Sequence, residues 1–149
     1  MRISKALAIG GTAVALTGAV ALPAAAVNHH PASKGTFKSS VSPNPVSPGQ
    51  TLTLKAHGAK KKTNYTCVLI ISHGKNYAIG HILGAKTSNK HGKFKCTTTF
   101  AAYSGTDQKG VTRHCPTTKK DRKAGFSCGF AASTTDQKSN TVSYFKATK

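Results

Sequence analysis

The side chains in this sequence that could do chemistry are four cysteines, seven histidines and three acids. Cys67, Cys96, Cys115 and Cys128 do not fall in C-x-x-C pairs, so zinc ligation is a poor reading. An even number of cysteines reads as two disulfides where a chain is exported, as the leader over residues 1–26 predicts. Three connectivities are open; Cys67–Cys96 with Cys115–Cys128 is favoured because each bond joins sequence neighbours. The acids are Asp107, Asp121 and Asp136, far apart and with no Glu among them. They supply neither the carboxylate pair of glycoside cleavage nor a calcium loop. There is no G-x-S-x-G elbow and no Gly-rich phosphate loop. His57, His73, His81, His91 and His114 each stand alone on turns or strands. A non-catalytic protein is expected.

Charge is the loudest signal. Lys and Arg number 22 against 3 acids, a formal charge of +19. So few acids cannot pair off so many cations, and the surface must carry a strong positive field. The candidate polyanion-binding residues are Lys60, Lys61, Lys62, Lys93, Lys95, Lys119, Lys120, Arg122 and Lys123. Their partners would be cell-wall polymers such as teichoic acids, anionic lipid surfaces or nucleic acid. The competing reading is a set of solvated basic loops.

The chain opens Met1-Arg2-Ile3-Ser4-Lys5 and then runs apolar from Ala6 to Ala26. A basic start, an apolar run and small residues at Ala24-Ala25-Ala26 read as a signal peptide over 1–26, cut after Ala26. It resembles Gram-positive bacterial secretion signals, and no later stretch is long enough to span a bilayer. A secreted, extracellular monomer is expected. Residues 27–38 read as a flexible basic arm and residues 39–149 as one domain.

Within that domain the organising stretch is Tyr65-Thr66-Cys67-Val68-Leu69-Ile70-Ile71-Ser72. It is short and β-branched, so it reads as a strand. Tyr65, Cys67, Leu69 and Ile71 share one face; Thr66, Val68, Ile70 and Ser72 share the other. Both faces are apolar, so something must cover the outer one: a loop, a partner or a ligand. Leu52, Leu54 and Ala56 alternate inward in a strand over 50–56, and Phe94, Cys96 and Phe100 in another over 93–100. Phe126, Cys128 and Phe130 share a face opposite the small Ser127, Gly129 and Ala131. Further strands are predicted over 77–83, 111–115 and 141–146. Residues 42–49, 103–110 and 116–123 read as an extended corner, a turn region and a basic loop. No segment has a helical period, and short strands between Gly, Pro and Asn turns predict an all-β sandwich.

The run Val41-Ser42-Pro43, then Ser47-Pro48-Gly49-Gln50-Thr51-Leu52-Thr53-Leu54 and Tyr65-Thr66-Cys67, resembles the opening of many bacterial immunoglobulin-like domains. The second half is more specific. Cys115, then Cys128-Gly129-Phe130-Ala131-Ala132-Ser133, Asp136 and Val142-Ser143-Tyr144-Phe145 together resemble the neocarzinostatin family. These are small secreted actinobacterial carriers of an enediyne chromophore. The resemblance implies an immunoglobulin-like β-sandwich with two disulfides. It implies a ligand groove at Val68, Ile70, Gly129 and Ala131, where small residues would make room for a small apolar ligand; a loop could fill the same space. The family is acidic, whereas this chain is basic. Two functions are carried forward: a cationic antimicrobial or polyanion-binding protein, and a chromophore carrier.

Cleavage after Ala26 would leave Val27-Asn28-His29 as the terminus. An α-amine, two backbone amides and the His29 ring supply four nitrogens, the planar set that copper(II) favours. Binding must displace amide protons, so it should strengthen as pH rises. Copper(II) titration of protein beginning at Val27 should therefore produce a visible absorption band that His29→Ala abolishes. No band, or one that survives the substitution, removes the site.

Overall fold

The structure, a computed structural model, describes residues 36–74 and 76–149. Nine strands and one short helix follow in order: β1 Lys38–Ser42, β2 Thr51–His57, β3 Asn64–His73, β4 Asn76–Thr87, β5 Phe94–Thr99, β6 Tyr103–Thr106, β7 Thr112–Cys115, α1 Lys119–Lys123, β8 Ser127–Ser133 and β9 Asn140–Phe145. They form a three-stranded sheet β1-β2-β5, a four-stranded sheet β4-β3-β8-β9 and a two-stranded ribbon β6-β7. All pairings within them are antiparallel. This is an immunoglobulin-like all-β sandwich with two disulfides.

The alternation read from the sequence places the core. Leu52, Leu54 and Ala56 of β2 and Phe94 and Cys96 of β5 face Tyr65, Cys67, Leu69 and Ile71 of β3 and Cys128, Phe130 and Ala132 of β8. Burying such side chains stabilises by about 1.5–3 kcal/mol each for the larger ones. Tyr65 stacks on Phe94 with centroids 4.7 Å apart, and Phe37 meets both rings edge-on. The buried Tyr65 hydroxyl accepts from the Lys60 N–H and shares a hydrogen bond with Ser139 Oγ. Cys67–Cys96 staples the two sheets, with Cα atoms 6.1 Å apart. Cys115–Cys128 ties the ribbon to β8 at 5.7 Å. Loops of this size are worth about 3 kcal/mol each in the chain-entropy account.

The structure corrects four readings. Residues 27–35 of the expected arm lie outside the described residues, but its last three are not an arm. Phe37 is buried against Tyr65 and Phe94, and Lys38 opens β1, which pairs with β2. Residues 103–106 are a strand rather than a turn, because the polar Ser104-Gly105-Thr106 is held by pairing to β7. The strand expected over 77–83 runs to Thr87, with irregular register beside Val68 and Ile70. The basic loop over 116–123 contains α1. Thr118 caps it and Asp121 completes a capping box, a Thr-x-x-Asp pattern that was present in the sequence.

Two of the three acids are buried around one cation. Arg113 Nε donates to Asp107 Oδ2 at 2.8 Å, its Nη1 lies 3.6 Å from Asp121 Oδ1, and its Cζ sits 4.2 Å above the Phe126 ring. Burial works to raise the Asp107 carboxyl, but hydrogen bonds from the Val111 and Lys109 N–H groups and from Arg113 outweigh it and hold it below its ordinary value. Asp121 is likewise held low: burial opposes, and the Thr118 hydroxyl and N–H, with His114, win. A lowered folded-state value means stability present in full above the ordinary carboxylate pKa and lost as pH falls through the lowered one. Urea unfolding should therefore be steady at neutral pH and weaken below about pH 4. Asp107→Asn should cost about 3 kcal/mol at pH 7 by leaving the buried guanidinium with only its longer contact to Asp121 and should flatten the acid limb. An acid limb unchanged in that variant would count against this cluster.

Candidate ligand-binding face

The outer face of the four-stranded sheet is a lattice of apolar side chains. Register aligns Ile82, Val68, Ala131 and Val142 in one row across β4, β3, β8 and β9. It aligns Ile79, Ile70, Gly129 and Tyr144 in the next. Val68, Ile70 and Ala131 form a cluster of their own, 3%, 4% and 8% exposed, with Ile79 and Val142 packed against it. The four groove residues read from the sequence thus lie together. Sequence reasoning missed Ile79, Ile82, Val142 and Tyr144, which join them only through strand register.

Gly129 has a structural use on this face. A Cβ there would meet Ile70 Cγ1 at 3.1 Å and Tyr144 Cδ1 at 3.3 Å. Its bare backbone lets the Tyr144 ring lie down on the sheet, where the hydroxyl shares a 2.8 Å hydrogen bond with buried Ser72. Behind the sheet edge, Tyr103 of the ribbon donates from its hydroxyl to the Ile70 carbonyl at 3.0 Å. Burial pushes that phenol well above its ordinary pKa, the Gly129 N–H working the other way, so the proton stays on to donate. The Tyr103 ring occupies the space that a Cβ on Gly80 would need.

The architecture is similar to that of macromomycin, with a TM-score of 0.56 and 16% sequence identity over 75% of this chain and 99% of that one. The fold is therefore neocarzinostatin-like. At that identity the likeness concerns the fold alone. No protein-family model matches the sequence, and no curated protein matches it.

The candidate polyanion-binding residues do not form one patch. Lys60, Lys61 and Lys62 lie in the loop before β3, beside the loop that leads into β5, where the Ala59 N–H donates to the Gly92 carbonyl. Lys93 and Lys95 are at that same end. Lys119, Lys120, Arg122 and Lys123 belong to α1, which precedes the strand end paired with Ser72. The ten residues of β3 separate the two groups, about 30 Å in an extended strand. Val27, Asn28 and His29 lie outside the described residues. His114 is not isolated: its Nδ1 is 3.3 Å from Asp121 Oδ2. Asp136 is bound by the Thr134 hydroxyl and the Lys138 N–H. No metal-holding group of three or more His, Cys, Asp or Glu occurs among the described residues. Nor does any helix there have the length and apolarity to cross a membrane.

Two substitutions check this face. Tyr144→Phe should leave buried Ser72 without its partner and cost about 1 kcal/mol in chemical denaturation. Gly80→Ala should displace Tyr103 and cost about 1–3 kcal/mol. Unchanged stability in both would show that neither ring is held as described.

Proposed function

We propose that this protein is a secreted, non-catalytic carrier of a small apolar molecule, held on the outer face of the four-stranded sheet. One observation carries the reading. The large apolar side chains left exposed among the described residues are Ile82 at 42% and Tyr144 at 49%, and both stand on this face. They flank Val68, Ile70 and Ala131 on either side. They stand on the two edge strands of the sheet, so a molecule lying across the face would reach both. Small-molecule sites combine apolar walls with a few placed polar groups; here the Tyr144 hydroxyl, anchored by buried Ser72, is the polar group on the face. An enediyne-type chromophore is the ligand that the sequence resemblance implies. The carboxylates support a non-catalytic role, since each is engaged in holding structure.

Native mass spectrometry of protein purified from its producing culture should show a bound small molecule. A planar aromatic fluorophore should bind the ligand-free protein. Ala131→Phe, which overfills the face, should weaken fluorophore binding at least about tenfold while costing about 1–3 kcal/mol of stability. Equal binding by the folded variant would overturn the reading.

A second reading rests on charge. With Asp107 and Asp121 committed to Arg113, nearly all of the 22 Lys and Arg are uncompensated. This supports binding of polyanions, and through it an antimicrobial action at an anionic cell surface. Heparin affinity should fall steeply with salt; salt-insensitive binding, or none, would remove it.

A further inference from the structure

The outer face of the three-stranded sheet differs from its counterpart. Antiparallel register places Lys38 beside His57 and Ser40 beside Lys55 across β1 and β2. It places Lys55 directly opposite Lys95 across β2 and β5. All five side chains are exposed, as is Lys93, which immediately precedes β5 and lies with His57 and Lys55 around one shallow depression. Further along the same strands, Ser42 aligns with Thr53 and Thr97, and Thr51 with Thr99. The face is thus lysine at one end and hydroxyl at the other. The acids lie elsewhere: Asp107 and Asp121 with Arg113, and Asp136 with Thr134 and Lys138. Lys38 and Lys55 carried no signal in the sequence; pairing alone gathers them.

Like charges directly opposite on one sheet face destabilise it. Lys55 and Lys95 stand about 5 Å apart at Cβ in such a pair. A protein that needed charge only for solubility would gain nothing from placing lysines face to face. An anion lying across the strands would turn the repulsion into attraction. Lysine is a point charge suited to phosphate. No Phe, Tyr or Trp stands among the outward residues of these strands, and His57 is the one ring on the face, so a nucleic acid would find no row of rings on which successive bases could stack. Rows of Ser and Thr hydroxyls, which both donate and accept, match a hydroxylated backbone.

We infer that Lys38, Lys55, Lys93 and Lys95, with the Ser and Thr rows beside them, form a binding face for a linear polyol phosphate chain. The lysines hold its phosphodiesters and the hydroxyls of β1, β2 and β5 hold its polyol units. This rests on the charge reading and names its site and ligand class. It is independent of the apolar face on the other sheet.

The test is calorimetric titration with a synthetic poly(glycerol phosphate), an oligothymidylate of equal charge and heparin, over a range of salt. Poly(glycerol phosphate) should bind more tightly than the oligothymidylate. The K55Q/K95Q double variant should weaken it by about tenfold and reduce the salt slope by about 1.4, from 0.7 for each lost phosphate contact on a single strand. K119Q/K120Q, which removes the same charge from α1, should change affinity less than about twofold. Thr53→Val/Thr97→Val should weaken poly(glycerol phosphate) and leave the oligothymidylate unaffected. The melting temperature of K55Q/K95Q should hold or rise, because a repulsive pair is removed; a marked fall would make the lysines structural and overturn the inference. Equal losses in the two lysine variants, or equal affinity for the two polymers, would overturn it while salt-dependent heparin binding kept the charge reading. Absence of binding to all three polymers would remove both.

Discussion

Strand β3 is buried on both faces, and that constraint shapes the rest of the molecule. A sandwich strand needs one apolar face, yet Tyr65, Cys67, Leu69 and Ile71 point into the core while Val68 and Ile70 are equally hidden on the other side. The inner face is satisfied by the second sheet and by the bond from Cys67 to Cys96. The outer face is covered by side chains of its own sheet, chiefly Ile79, Val142 and the reclining Tyr144. Cover made from within one layer leaves the covering groups themselves exposed. Ile82 and Tyr144 are consequently the large apolar side chains left exposed among the described residues.

Scarcity of acids is the second constraint. With three aspartates in the chain, each has a structural use. Asp107 closes the turn after β6 by accepting from the Lys109 and Val111 N–H groups and holds Arg113. Asp121 caps α1 and touches Arg113 and His114. Asp136 accepts within the turn before β9. Carboxylates that accept several hydrogen bonds stay ionised, which suits anchoring and works against proton transfer near neutral pH. The remaining cations are left to the solvent.

The two sheets therefore present opposite outer surfaces on one scaffold, one apolar and partly self-covered, one lysine- and hydroxyl-bearing. A β-sandwich allows this because outward side chains contribute little to the core and can diverge in chemistry without disturbing it. The Cys67–Cys96 staple, running between the sheets, fixes both surfaces relative to the same core.

The sequence by itself determined the periodic features: inward residues on β2, β3, β5 and β8, the two-sided character of β3, the small residues at 129 and 131, and the excess charge. These depend on side-chain alternation, which is local. It failed at β1 and β6, where polar residues become strands only because a partner supplies hydrogen bonds, and at α1, too short for a period although its cap was written in Thr118 and Asp121. The cysteine pairing favoured from sequence proximity, Cys67–Cys96 with Cys115–Cys128, is the one the structure contains. The membership of the two outer faces was decided by tertiary structure alone. Tyr144 reaches Gly129, and Lys55 meets Lys95, through pairing registers between strands distant in sequence. Register is a property of two strands together, and no single stretch of chain encodes it.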